Sequence, residues 1–320
     1  MKRRAFVVGG VAAVAVPLSA EANRATKVHR IGVLWHGSRD ARFEPFIQAL
    51  ADLGHVEGRN LLVEFRTISV PELSAQAADL IRLNFDVVVT QATRATQAAM
   101  DHTRTIPIVM IGAADPVATG IVASLHHPGG NVTGSTDMRP ALTAKRVQLL
   151  KEIVPTATRI GALFNPTEPA VMQEWADTET AARALGLAPL RMEARQPEEI
   201  GSAFARLKSG EGAILVVFTR AFTLTHRGRI IELADTHRIP TVGSGDFARR
   251  GGLLGLGANY VELLRRTAIL VDKILKGAKP ADLPVEQPTT FELVINVKTA
   301  KALRLVIPPA LLTQADDLVE

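Results

Sequence analysis

The 320-residue sequence contains no cysteine, and only 4% of its residues are aromatic. Without cysteine the chain cannot form a disulfide, use a thiol nucleophile or carry the lipid-modified cysteine that anchors some exported proteins. Its positive charge is small, because 37 Lys and Arg residues face 32 Asp and Glu residues and leave a formal charge of +5. These cations are dispersed along the chain, so no basic patch indicates a nucleic-acid partner.

The sequence also lacks familiar catalytic motifs. No G-x-S-x-G, H-E-x-x-H or Walker loop occurs, and the glycines between 251 and 257 do not have the spacing of a dinucleotide fingerprint. His126 and His127 are adjacent, but neighbouring side chains on a helix point in different directions and no third ligand lies at metal-binding spacing. We therefore predict a protein that is not an enzyme, with no catalytic residues, cofactor or metal.

Residues 1–22 have the features of a signal peptide. Lys2, Arg3 and Arg4 precede an apolar run of suitable length, and residues 20–22 (AEA) form an A-x-A cleavage site. The run is too short to span a bilayer, and no later segment approaches transmembrane length. The paired arginines resemble a twin-arginine export signal, with an ordinary Sec signal as the alternative. We predict an exported protein whose mature chain begins near Asn23.

The chain repeats itself once at a spacing of about 130 residues. Residues 30–35 (RIGVLW) return at 159–164 (RIGALF), and residues 106–109 (IPIV) return at 239–242 (IPTV). Helical patterns, a further strand and a double glycine recur in the same order between and after these matches. Several short matches in one order at nearly one spacing indicate two duplicated βαβ lobes.

Within each lobe, apolar strands alternate with helical patterns, which is typical of an α/β fold with parallel sheets covered on both faces. We predict two similar Rossmann-like lobes joined by a hinge that the chain crosses several times, so that the cleft between them can close. Lobe 1 is predicted to comprise 27–135 and 257–282, and lobe 2 to comprise 136–256 and 283–320. The predicted strands are 28–35, 60–66, 85–90, 106–111, 131–135, 158–164, 188–193, 213–218, 240–243 and 252–256.

Residues 106–138 are the stretch on which the functional argument depends. A buried strand ends at a loop containing Asp115, a helix is predicted to begin near Pro116, and a strand at 131–135 then leaves the lobe. Ligands of open α/β sheets bind beyond the carboxyl ends of the strands, which makes Asp115 a candidate contact. The alternative is that Asp115 only caps the helix that follows it.

The loops at the strand ends supply small polar side chains in equivalent pairs. Hydroxyls and backbone N–H groups at helix starts suit a carboxylate, and Asp115 or Asp246 suits an ammonium group, so the pattern predicts a zwitterion or another small polar ligand. Trp35 ends the first strand, where its ring either stacks on a ligand or belongs to the core. The hydroxyl residues are alternatively simple helix caps. The candidate binding residues are Trp35, His36, Ser38, Gln91, Thr93, Asp115, Asn165, Thr167, Thr219, Arg220, Ser244 and Asp246.

Several motifs resemble one family of ABC-transporter substrate-binding proteins, that of the tryptophan- and tyrosine-binding lipoproteins. They are residues 115–117 (DPV), 120–122 (GIV), 128–134 (PGGNVTG), 274–277 (ILKG) and 280–285 (PADLPV). The resemblance extends from about Arg30 to the C-terminus and implies a type 1 periplasmic-binding fold and a role in transport. Leu256 stands where relatives often have a tyrosine, which puts a preference for aromatic ligands in doubt.

The leading hypothesis is therefore a monomeric periplasmic receptor without a lipid anchor. It would capture an amino acid-like or carboxylate-bearing ligand and present it to an ABC permease and ATPase complex in the inner membrane. A periplasmic sensory module that signals to a membrane receptor is the alternative, and an enzyme using Asp115 or Asp246 as a base is a third. A repressor with the same fold is not expected, because the chain has no DNA-binding headpiece.

Overall fold

A computed structural model describes residues 27–36, 39, 43–68, 72–137, 139–207 and 212–320. The predicted signal peptide and Ser38 lie outside these residues. The described strands, in chain order, are β1 (His29–Trp35), β2 (Leu61–Thr67), β3 (Val87–Gln91), β4 (Ile108–Ala113), β5 (Val132–Thr136), β6 (Arg159–Phe164), β7 (Ala188–Glu193), β8 (Ala213–Val217), β9 (Thr241–Gly243), β10 (Leu254–Ala258), β11 (Phe291–Asn296) and β12 (Asp317–Val319).

Helices occupy most of the segments between the strands. They are α1 (Glu44–Asp52), α2 (Leu73–Arg82), α3 (Ala92–His102), α4 (Arg139–Ile153), α5 (Val171–Ala184), α6 (Glu199–Leu207), α7 (Ala221–Thr225), α8 (Arg227–Thr236), α9 (Gly245–Arg249), α10 (Tyr260–Leu275), α11 (Val297–Ala302) and α12 (Pro309–Gln314). None of the helices in the described part of the chain combines the length and apolar character needed to cross a bilayer.

The two sheets share one topology. The first has the strand order β2-β1-β3-β4-β5, and the second contains the equivalent order β7-β6-β8-β9-β10 before β11 and β12 extend its edge. All pairings in the first sheet are parallel, and in the second only β10 and β11 pair antiparallel. The prediction of two similar α/β lobes with parallel sheets is confirmed. Below, lobe 1 and lobe 2 denote the first and second sheet with the helices packed on each.

Alternation along the strands places Trp35 beside the last helix of lobe 1. Ile31, Val33 and Trp35 share one face of β1 and pack against α1 and α10, whereas Leu34 faces the opposite side, toward α2 and α3. This period-two pattern is what a parallel sheet covered on both faces requires. Trp35 is only 1% exposed, and it stands at the carboxyl end of its strand.

The chain passes between the lobes three times. It leaves lobe 1 after β5, returns to it when α10 follows β10, and rejoins lobe 2 when β11 follows residues 280–290. Asn259 starts the second crossing by accepting a hydrogen bond from the backbone N–H of Glu262, so α10 begins at Tyr260. Tyr260 therefore lies where the two lobes meet.

The predicted helix beginning near Pro116 is wrong. Residues 116–120 form turns, and no helix lies between β4 and β5. The backbone N–H groups of Ile121 and Val122 both donate to the Pro116 carbonyl, and Gly120 has φ +69. The helical pattern of backbone hydrogen bonds therefore stops after one turn. Ile121 and Val122 are then buried in the core of lobe 1. Tertiary burial of two apolar residues thus replaces a surface helix.

Candidate ligand-binding cleft

A cavity of about 400 Å³ lies between the lobes at the carboxyl ends of their strands. That volume is within the range of small-molecule sites. Five of the sequence-predicted candidates line it, two from lobe 1 and three from lobe 2, and these are Trp35, Gln91, Thr219, Ser244 and Asp246. The structure therefore brings together residues that are up to about two hundred positions apart in the chain.

An aromatic wall closes one side of the cavity. The rings of Trp35 and Tyr260 meet edge to face with centroids 6.1 Å apart, and Phe43 makes a second edge-to-face contact with Trp35 at a centroid distance of 5.0 Å. Gln91 fixes the wall, because its Nε2 donates to the Tyr260 hydroxyl (3.0 Å) and its Oε1 accepts from the His36 backbone N–H (2.8 Å). Edge-to-face contacts and these hydrogen bonds leave a preformed apolar surface with a polar margin.

Asp137 is the buried carboxylate of the cavity, and the sequence analysis did not select it. It directly follows β5, lines the cavity and is 8% exposed. An irregularity in the β4–β5 pairing between Met110 and Ala113 and the positive φ of Gly112 shape this corner. A side chain at Gly112 would meet the Tyr260 ring at 3.4 Å and an Asp137 carboxylate oxygen at 3.6 Å. A side chain at this position would therefore cover part of the corner that Asp137 and Tyr260 form.

Arg146 supplies a buried positive charge to the same cavity. It lies on α4, is 1% exposed and donates from Nε to the Leu256 carbonyl (2.9 Å). Its Nη1 is 3.6 Å from an oxygen of Glu174, a fully buried residue of α5. The other Glu174 oxygen accepts two bonds from Arg220, at 2.5 Å and 3.1 Å. Arg220, a predicted candidate, therefore acts in the structure as a partner of Glu174.

Charged residues at the lobe 2 rim are paired with one another. Asp246 accepts bonds from Arg250 Nε at 3.1 Å and lies 3.6 Å from Arg227. Hydrogen bonding to Glu292 raises the pKa of Arg249 above its ordinary value, and Asp317 adds to the effect against the opposing influence of burial. The Asp246 carboxylate is therefore engaged by two arginines of lobe 2.

Ser244 and Thr93 perform structural tasks close to the cavity. Ser244 lines it and also caps α9 by accepting from the Phe247 backbone N–H at 3.4 Å. Thr93 is buried and ties the start of α3 to the loop after β4, since its Oγ1 accepts from the Ala114 backbone N–H at 3.1 Å. Thr93 and Arg220 share a narrow pocket of about 20 Å³ beside the cavity.

Four other candidates lie away from the cavity. His36 lines a separate, more open depression of about 720 Å³ between the lobes. Asn165 accepts hydrogen bonds from the backbone and hydroxyl of Thr167, and Thr167 accepts in turn from Arg94 of lobe 1. Asp115 is exposed with φ +36, and its carboxylate accepts from the Ala118 backbone N–H at 3.0 Å. In the structure Asp115 thus caps a turn.

Among the described residues, no group of three or more His, Cys, Asp or Glu side chains is arranged to hold a metal ion. The adjacent His126 and His127 are both exposed.

Two similar parallel-sheet lobes around a cleft define the class of two-lobed ligand-binding proteins with a type 1 periplasmic-binding fold. Within that class, the family profile of ABC transporter substrate binding proteins matches residues 27–319, and the chain belongs to this family. The resemblance inferred from the motifs is therefore confirmed. Members of the family bind small-molecule substrates for ABC transporters and are not enzymes.

Three similar proteins illustrate the relationship. A tyrosine-binding protein of Clostridioides difficile strain R20291 is 28% identical over 271 residues, which cover 84% of this chain and 78% of that protein. A conserved domain protein of Vibrio cholerae O1 biovar El Tor strain N16961 superposes with a TM-score of 0.84 at 28% identity, covering 91% of this chain and all of the other. An ABC domain from Streptococcus pneumonia in complex with L-Trp gives a TM-score of 0.82 at 26% identity, covering 91% and 99%.

Proposed function

We propose that this protein is the periplasmic receptor of an ABC importer and captures an amino acid-like ligand in the cleft between its lobes. Residues 1–22 serve as its export signal. The protein binds as a monomer, closes around the ligand and presents the closed form to the permease and ATPase complex. Lobe 1 (27–135 and 257–282) and lobe 2 (136–256 and 283–320) are the units that move.

The proposed ligand class rests on one observation, the buried carboxylate of Asp137 in the cavity wall. A carboxylate that is 8% exposed on the wall of a cavity, beside the Tyr260 ring, is suited to an ammonium group that arrives with the ligand. The similar proteins that bind tyrosine and L-Trp support the same class, because both of those ligands carry an ammonium group. Trp35, Tyr260 and Leu264 provide an apolar surface for the body of such a ligand.

The hydroxyls of Thr219 and Ser244 and the start of α3 add polar contacts. Gln91 and Ala92 line the cavity where this eleven-residue helix begins, so its first N–H groups are close to the bound ligand. Ala92 has φ +63, an uncommon conformation for a residue with a side chain, and such outliers occur at ligand-binding sites. A zwitterion is therefore favoured over a neutral sugar or nucleoside.

A thermal-shift screen tests this ligand class. L-amino acids, sugars, nucleosides and aromatic acids should be compared at millimolar dose, where a micromolar binder stabilises the protein by about 4 kcal/mol. We expect one or more L-amino acids to raise the melting temperature. Stabilisation by neutral sugars or nucleosides alone would contradict the proposal.

The substitution Asp137→Asn tests whether Asp137 contacts the ammonium group of the ligand. It keeps the shape of the side chain but removes the charge, so affinity for an ammonium-bearing ligand should fall by about 1.5 to 3 kcal/mol, tenfold or more, in calorimetric titration. Asp115→Asn is the matched control, since Asp115 is exposed and caps a turn, where Asn caps nearly as well. Equal binding by the wild type and both variants would exclude Asp137 as the ammonium contact.

A further inference from the structure

Leu224, on α7, lies between the ligand cavity and the open depression beside it. Among the described residues it alone lines both the cavity of about 400 Å³ and the depression of about 720 Å³. It also lines a third space of about 10 Å³, which shares Thr219, Ser244 and Asp246 with the cavity and Arg227 with the depression. A single water molecule needs roughly 10 to 15 Å³, so this connecting space is too small for a ligand group.

Hydrogen bonds hold the backbone of Leu224 in place near the end of α7. Its N–H donates to the Arg220 carbonyl at 2.8 Å, and its carbonyl accepts from Arg227 Nη1 at 2.5 Å. Residues 221–223 before it are buried in lobe 2, whereas Leu224 is half-buried and lies outside the hydrophobic clusters that the described residues form. The Leu224 side chain therefore borders the cleft and is not part of the core.

The cavity and the depression follow one another along the strand ends of lobe 1. In the sheet order β2-β1-β3-β4-β5, the cavity extends from Asp137, after β5, to Trp35, at the end of β1. The depression continues from His36 to Thr67, at the end of β2. A ligand whose ammonium group lies at the β5 end therefore extends toward the depression, with Leu224 in between.

We infer that Leu224 limits the length of the ligand by separating the cavity from the depression. The inference rests on the proposed function and adds to it a residue that determines specificity. A side chain fixed in a preformed cleft excludes a longer ligand, because the overlap forces unfavourable rotamers and backbone shifts. A free amino acid needs only the cavity, whereas an amino acid extended by a further residue would have to occupy the place of the Leu224 side chain.

The experiment compares the common L-amino acids with the dipeptides in which glycine follows each of them. These dipeptides keep the ammonium group and the side chain and extend only the other end. In calorimetric titration the wild type should bind its preferred amino acid about tenfold or more tightly than the matching dipeptide. Leu224→Ala joins the cavity to the depression, so its affinity for that dipeptide should rise severalfold or more. A general loss of stability would not produce such a gain.

Two variants serve as controls. Leu224→Met nearly conserves the volume of the side chain, so it should keep the wild-type ratio of amino acid to dipeptide affinity. Leu233→Ala removes the same atoms from α8, where Leu233 packs against the core of lobe 2 and lines none of the three spaces. It should lower stability and leave the ratio unchanged.

Each outcome decides the inference. A wild type that binds amino acid and dipeptide equally, or a Leu224→Ala variant without a gain for the dipeptide, would overturn the role of Leu224 and leave the proposed receptor function intact. An equal gain in Leu233→Ala would also overturn it. A wild type that binds none of the amino acids or dipeptides would contradict the proposed ligand class and this inference together. A gain confined to Leu224→Ala supports it.

Discussion

Glu174 shows at the residue scale how a buried charge depends on its partners. Its side chain has no exposed surface, and both of its oxygens face arginines, with Arg220 at hydrogen-bonding distance and Arg146 at 3.6 Å. Removing the carboxylate takes the shared counter-charge away from two buried arginines, and breaking a buried ion pair by removing one partner is strongly destabilising. The same helix also carries an exposed ion pair between Glu179 and Arg183.

This contrast allows a prediction about stability. Glu174→Gln should lower the free energy of unfolding by about 3 to 5 kcal/mol, because Arg146 and Arg220 then remain buried without their carboxylate. Glu179→Gln, the same substitution on the same helix, should cost about 0.3 to 0.5 kcal/mol, since exposed pairs four residues apart contribute little. Urea denaturation of both variants measures the difference. Similar costs for the two would show that the buried group contributes no more than a surface pair.

At the scale of elements, α10 connects the cleft to the far end of lobe 1. Tyr260 begins the helix at the cavity, and near its end Asp272 accepts from Lys276 Nζ at 2.8 Å and lies 2.8 Å from His55, which follows α1. Burial acts to raise the pKa of Asp272, but the hydrogen bonds and charges of Lys276 and His55 outweigh it, so the pKa is lowered. The stability of the packing between α10 and α1 therefore depends on pH.

Because the pKa of Asp272 is lowered in the folded state, the stability of the protein should fall at acidic pH. The ionised Asp272 stabilises the fold fully above the unfolded-state pKa, near 4, and this contribution is lost as the pH falls through the lower folded-state value. Between pH 7 and about pH 3 the wild type should therefore lose more stability than Asp272→Asn. The exposed Asp101 on α3 is the control, and Asp101→Asn should follow the wild-type profile. Parallel profiles for wild type and Asp272→Asn in chemical denaturation would contradict the prediction.

At the scale of the whole molecule, a contact between the lobes accompanies the cleft. Arg94 on α3 donates to the Thr167 carbonyl at 2.8 Å and to its hydroxyl at 3.1 Å, and Thr167 follows β6 in lobe 2. The contact is solvent-exposed, so we expect its contribution to the free energy of the closed form to be modest. Because it joins the two lobes, it stabilises the arrangement in which they lie close together.

We predict that the protein becomes more compact on binding and that Arg94→Gln weakens the closed form. Small-angle scattering should show a smaller radius of gyration with bound ligand, and the variant should bind about two- to tenfold more weakly without losing stability in its ligand-free state. Arg82→Gln, which removes an exposed pair within lobe 1, should leave affinity unchanged. A scattering curve unaltered by saturating ligand would argue against closure.

The sequence by itself determined the architecture. The repeat of residues 30–35 at 159–164 and the apolar alternation of the strands were enough to predict two parallel-sheet lobes, because strand patterning reflects burial of both sheet faces. It also located part of the cleft, since Trp35, Gln91, Thr219, Ser244 and Asp246 follow directly from the rule that ligands lie beyond the carboxyl ends of strands. Asp137 directly follows β5, so the same rule applied to the sequence could have selected it.

Tertiary structure alone decided the rest. Arg146 lies at the middle of α4, where local sequence gives no sign that α5 supplies Glu174 beside the guanidinium. Asp115 caps a turn and not the predicted helix, and the burial of Ile121 and Val122 in the lobe 1 core accompanies the loss of that helix. Local patterns specify which face of an element is buried, but the meeting of charges from distant elements depends on how those elements pack.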